Sequence, residues 1–222
     1  YTHVVWRHDV TANQYFSLAG YLRHTRATFE TDALNVLSYT SDADEPFSAG
    51  SQDRFAYSGG MRLDYTNVLN SQHLVKAGFQ FDRTQAVNKT RLSVFDRDGK
   101  SDPTGSVLAR NADNRLIGYR EEFWVQDQYT PTNQWAFNLG VRVDNIHGFI
   151  EAMQVSPRMG VTFKANNNHA FHAFYGRLFT PPNLEAIRFV QLNTVGTTAE
   201  PENLTNNTVK PERSHYFEVG ST

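Results

Sequence analysis

WAFNLGVRVDNIHGFIEAMQVSPRMGVTFK, residues 135–164, contains two runs that alternate apolar and polar side chains with a period of two. In the first, Trp135, Phe137, Leu139, Val141 and Val143 point one way, and Asn138, Gly140, Arg142 and Asp144 the other. In the second, Val155, Pro157, Met159, Val161 and Phe163 oppose Gln154, Ser156, Arg158, Thr162 and Lys164. Successive side chains of a strand face opposite sides of its sheet, so the pair predicts a hairpin with one apolar and one polar face. A soluble sandwich carries the same alternation in any one hairpin. Recurrence along almost the whole chain decides the class.

Outward from this hairpin, the same alternation predicts strands over 2–10, 14–28, 54–65, 72–84, 115–129, 169–178 and 213–221, about nine in all. In 115–129 the pattern is least clean: Asp127 shares a face with Phe123 and Val125, and Trp124 falls on the polar side. Like faces pair across the short turns in a register that sets Phe163 opposite Phe171, Val161 opposite Ala173, Leu63 opposite Val75, Val125 opposite Leu139 and Trp6 opposite Leu18. A slip of one residue would turn every apolar side chain to the wrong face. Turns near 11, 68, 131 and 167 are short, whereas 32–51, 86–114 and 179–212 read as long loops, with part of 86–114 extending the flanking strands; only the link at about 145–153 breaks the contrast. Short turns at one end and long loops at the other belong to an outer-membrane barrel.

Aromatic position points the same way. Tyr65, Tyr129, Trp135, Phe163 and Phe171 crowd the ends beside the short turns, and Phe55, Tyr57, Phe81 and Tyr119 lie some 8 to 10 residues further along. A tilted strand rises roughly 2.4 Å per residue along the membrane normal, so this spacing matches two girdles around an apolar band about 25 Å tall.

Composition excludes several classes. No apolar run approaches the roughly 18 to 20 residues of a membrane-spanning helix, but a barrel needs only alternate apolar residues, which fits a mean hydropathy of -0.54. A net charge of -2 leaves no basic field for a nucleic-acid partner. Zero cysteines leave neither disulfides nor thiolate metal sites. The chain opens at Tyr1 without a charged and apolar leader, so an export signal is expected to have been removed or to lie outside it.

No catalytic motif is present, and the chain reads as no enzyme, with no cofactor and no metal. His169 and His172, three apart on a strand, face opposite sides and share no ion. Asp96, Asp98 and Asp102 around Gly99 have the oxygen-rich look of a calcium loop. They read better as a solvated turn, as do Asp42, Asp44 and Glu45.

The runs FWVQDQYTPTNQWAFNLGVRVDN, VSPRMGVTFKANNNHAFHAFYGRLFTPPNLEAI and VKPERSHYFEVG carry ordered motifs: Val125-Gln126-Asp127, Gly140-x-Arg142-x-Asp144, Ser156-Pro157-Arg158, Tyr175-Gly176-Arg177-x-Phe179, Pro182-x-Leu184-Glu185 and Lys210-Pro211-Glu212-Arg213-Ser214. Through these, from Phe123 to Gly220, the chain resembles the C-terminal barrel region of TonB-dependent outer-membrane receptors. The resemblance implies an all-β, antiparallel up-and-down transmembrane barrel, with residues 1–222 forming about nine strands of a larger one. The plug domain is absent from this chain, which is expected to be a fragment with open, aggregation-prone edges.

It also implies location in the outer membrane of Gram-negative bacteria and active uptake of a scarce nutrient, such as a ferric siderophore, cobalamin or a glycan. Partners would be outer-membrane lipid, the plug, the TonB energy-coupling protein and the small nutrient ligand. External loops in this family help capture ligand, which selects Asn183, Arg188, Phe189 and Gln191 as contacts. Arg142, Asp144, Arg158 and Glu218 are expected to face the lumen, where Arg142, Arg158 and Arg177 meet a plug or anionic substrate or, the stronger reading, form a structural ladder with Asp144 and Glu218. Arg177 itself has the parity of the outer face. The alternatives are a passive porin-type channel and a soluble all-β binding module.

Overall fold

A computed structural model describes residues 1–30, 48–94, 108–182, 195–197 and 209–222. Its strands are β1 (Thr2–Thr11), β2 (Gln14–Phe29), β3 (Ser48–Val68), β4 (His73–Val94), β5 (Leu108–Tyr129), β6 (Trp135–His147), β7 (Ala152–Lys164), β8 (Ala170–Thr180) and β9 (Glu212–Ser221). They form one sheet in chain order, every pair antiparallel. The sheet is not closed: among the described residues β1 and β9 each pair on one side only. The fold is that of a partial up-and-down barrel.

Three of the expected registers stand as predicted: Phe163 with Phe171, Val161 with Ala173, and Trp6 with Leu18. Two do not. Leu63 pairs with Phe79 rather than Val75, and Val125 with Val141 rather than Leu139. Both turns come later in the chain than the polar residues suggest. Val68 stays in the ladder opposite Leu74, and the side-chain oxygen of Asn70 accepts from the amides of Gln72 (2.8 Å) and His73 (3.0 Å). Thr132 likewise accepts from Gln134 (3.3 Å) and Trp135 (3.2 Å). Each error is an even number of residues, so every side chain keeps its face.

A larger correction concerns 86–114, read mostly as loop. β4 runs on to Val94 and β5 begins at Leu108, and β3 likewise begins at Ser48. Here polar residues such as Lys89, Arg91, Asp113 and Arg115 occupy the face that is apolar lower down. The period-two hydrophobic signal fades while the backbone ladder continues.

The two faces differ as the alternation requires. One carries Leu139 at 46% exposure, Phe171 at 52% and Phe123 at 55%, with no second layer over them among the described residues. The other buries Ala56, Ala86, Leu116 and Ile146 in one cluster, joined by Ile150 from the β6–β7 link, and beside them Ser58, Glu122, Asp144, Gln154 and Ser156. Side chains of a curved single sheet converge on its concave side and splay on its convex side. The crowded, polar face is therefore the inner one, and residues of β2 to β6 line a cavity beside it.

Rings bracket the exposed apolar band at both ends. Beside the short turns, His73 stacks on Tyr129 at 4.5 Å and Trp135 meets Phe163 at 4.4 Å between centroids. At the far end His24 stacks on Tyr57 at 4.6 Å and His147 on Tyr119 at 5.0 Å. His24, His73 and His147 thus complete girdles that the sequence pattern assigned to Phe, Tyr and Trp.

Candidate functional site

The inner face of β4–β7 concentrates charge because register stacks its polar positions in rows. Gln80, Glu122, Asp144 and Gln154 lie opposite one another in one row, and Gly78, Trp124, Arg142 and Ser156 in the next. Arg142 therefore reaches two carboxylates at once: Nη2 lies 2.9 Å from Glu122 and 2.5 Å from Asp144, and Nε donates to Asp144 at 2.9 Å. Arg120 closes on Glu122 from the other side. Glu122 and Asp144 are only 3% and 1% exposed. Two buried carboxylates against two guanidiniums balance, which is the condition for holding such charges out of water.

One row nearer the long connections, the Tyr21 hydroxyl donates to Asp82, and Gln80 donates to the same carboxylate at 2.8 Å. A cavity of about 460 Å³ opens over this pair, lined also by Arg23, Arg120, Ile146 and Pro182. On the other side of the ion cluster a groove of about 550 Å³ is lined by Arg62, Lys76, Arg142 and Arg158 together with Asp64 and Glu122. Trp124 lines this groove with its ring against Gly78, where an added Cβ would come within 2.1 Å of it. Arg62 covers that ring at 4.7 Å and donates to Asp64 at 2.7 Å. The polar-face position of Trp124 is thus a packing solution built on a cross-strand glycine.

Arg142, Asp144, Arg158 and Glu218 share this inner face, but the expected ladder forms only in part. Arg142 and Asp144 pair. Arg158 lies between Gly140 and Gly176 and has no ion pair among the described residues. Glu218 stands on β9 opposite Phe174, where it accepts from Tyr216 at 2.8 Å and lies 3.4 Å from His172. The intervening β8 presents Phe174 and Gly176 on this face, so Arg158 and Glu218 do not meet. Arg177, on the outer face, donates to the Val155 carbonyl at 3.4 Å.

Glu122, Arg120, Asp82 and Tyr21 were missed by sequence reading, although their parity in the alternating runs marks the polar face. Asn183, Arg188, Phe189 and Gln191 lie outside the described residues, as do the Asp96 and Asp42 clusters. No group of three metal-ligating side chains occurs among the described residues.

Face, register and inner charge define a wall segment of a transmembrane barrel. The family described as "TonB dependent receptor-like, beta-barrel" matches residues 1–222, and the chain belongs to it. Solved structures similar in fold include the siderophore receptor PiuA from Acinetobacter baumannii (15% identity, TM-score 0.60), covering 99% of this chain and 36% of that one. FpvA of P. aeruginosa, bound to heterologous pyoverdines, gives 13% and 0.62 over 99% and 29% of the two chains. The ferric-catecholate import receptor Fiu from K12 E. coli gives 15% and 0.59 over 99% and 37%. This chain thus spans about a third of the length of such receptors. No curated protein matches it. The family's members are outer-membrane transporters rather than enzymes.

Proposed function

We propose that residues 1–222 form part of the wall of an outer-membrane barrel that takes up a scarce nutrient by TonB-dependent transport, a ferric siderophore being the class its structural neighbours favour. The reading is carried by one observation: an uncovered apolar face bounded by two rings of aromatic and histidine side chains, backed by an inner face of buried, balanced charge. Lipid accounts for the first and an aqueous lumen for the second. The plug, the TonB contact and the ligand-capturing loops complete the device from outside the described residues. The wall supplies position and charge, and no bond is made or broken on it.

The 222 residues hold no cysteine; with any cysteine elsewhere in the full-length receptor replaced, single cysteines at Leu139, Val161, Phe171, Asn138 and Thr162 can each carry a nitroxide. The first three are expected to be relaxed by oxygen and shielded from a water-soluble nickel complex, and the last two the reverse. In parallel, growth on a ferric siderophore under iron limitation is expected to require both receptor and TonB. Uptake independent of TonB would favour the passive channel instead.

A further inference from the structure

Between the inner ion cluster and the short turns, the wall keeps two cations that nothing neutralises. Register sets Lys76, Gln126, Gly140, Arg158 and Gly176 in one row. Lys76 and Arg158 both line the groove of about 550 Å³, both are exposed, and neither has an ion pair among the described residues. The carboxylates of this face nearest to them are already held. Arg7 meets Asp9 at 2.9 Å, Arg62 donates to both oxygens of Asp64 at 2.7 and 2.8 Å, and Glu122 and Asp144 share Arg120 and Arg142. Glu218 lies beyond β8 and accepts from Tyr216. Gln126 is uncharged and Gly140 has no side chain, so the floor between the two cations is low and open. Three strand spacings, roughly 14 Å between backbones, separate Lys76 from Arg158.

Resting on the transport reading above, we propose that Lys76 and Arg158 form an anion station on the exit half of the lumen, where the oxygens of a multiply charged anionic ferric complex rest once the plug has moved. The station is separate from capture at the loops: the long connections lie at the other end of the strands, and the cluster of Arg120, Glu122, Arg142 and Asp144 stands between. Short turns mark the periplasmic end of such a barrel, so a ligand that enters at the loops reaches this row last. An ammonium and a guanidinium bind an oxyanion through charge-assisted hydrogen bonds. Their exposure to the lumen keeps that grip loose, which suits a place that ligand passes through. Arg142 does not join them, because Glu122 and Asp144 already occupy it. Two unmatched charges in one cleft favour multivalent anions over neutral or cationic ligands at this depth.

The test records current through the full-length receptor in a planar bilayer, with the plug loosened by urea below the concentration that unfolds the barrel, and titrates citrate on the short-turn side. Citrate, a small multivalent oxyanion, is expected to block the wild-type pore, and to block it less as salt rises. Lys76→Gln/Arg158→Gln is expected to weaken block about tenfold or more and to shift the reversal potential in a salt gradient toward cations. Lys76→Arg/Arg158→Lys keeps both, as does Lys164→Gln, which removes a cation of the same face outside the groove. Unchanged block in the glutamine variant, or equal weakening by Lys164→Gln, overturns the proposal. So does a glutamine variant that conducts before urea is added while its block is unchanged, since the pair then holds the plug. A wild-type receptor that conducts at no urea concentration fails the barrel reading and the station with it; a pore indifferent to the double substitution fails the station alone.

Discussion

At the scale of single residues, the inner wall is governed by charge balance in a confined space. Asp144 is nearly inaccessible and depends on Arg142, whereas Arg142 keeps Glu122 as a second partner. Asp144→Ala is therefore expected to destabilise the refolded receptor by about 2 kcal/mol, and Arg142→Ala by more, because it leaves a buried carboxylate uncompensated. The double variant should cost less than the sum, with a coupling of about 1 to 3 kcal/mol. Urea titration of the receptor in lipid vesicles measures all three. Strict additivity would show that water or another cation already serves Asp144. Parity in the sequence placed both residues on one face; it did not reveal Glu122 and Arg120, because only register brings side chains of neighbouring strands to one point.

At the scale of elements, a strand here is a boundary between two solvents, and its period of two is the consequence. β6 makes this testable with adjacent positions: Leu139 stands on the outer face in the apolar band and Asn138 on the inner face. Leu139→Arg is expected to cost roughly 2 to 4 kcal/mol and to lower the yield of inserted receptor, whereas Asn138→Arg is expected to be nearly neutral. Folding yield into vesicles, followed by heat-modifiable mobility, checks the pair. Equal effects would remove the distinction between faces. The same logic explains why β4 and β5 were read too short. Beyond the far girdle the outer face turns polar while Ala56, Ala86 and Leu116 cluster on the inner one, so the hydrophobic alternation loses the phase it has in the band although backbone pairing maintains the strand.

For the whole molecule, the open edges of β1 and β9 dominate. An unpaired strand edge recruits other strands, and the nine strands of the described residues fall short of the closure that removes edges from a large barrel. Residues 1–222 produced alone are expected to associate in detergent into polydisperse oligomers rather than a monomer. Light scattering coupled to size exclusion reads this directly, and a stable monodisperse monomer would mean that β1 and β9 protect themselves.

The sequence by itself determined the class of fold, the face on which each strand residue lies and the approximate girdles, because each of these follows from a local period and from where aromatic side chains sit along it. Register across the 69–72 and 130–134 turns, the convergence of Arg120, Glu122, Arg142 and Asp144, and the seating of Trp124 on Gly78 were decided only by tertiary structure. These depend on which residues of separate strands come to lie opposite one another, and a shift of two residues leaves the hydrophobic pattern unchanged while it replaces every partner.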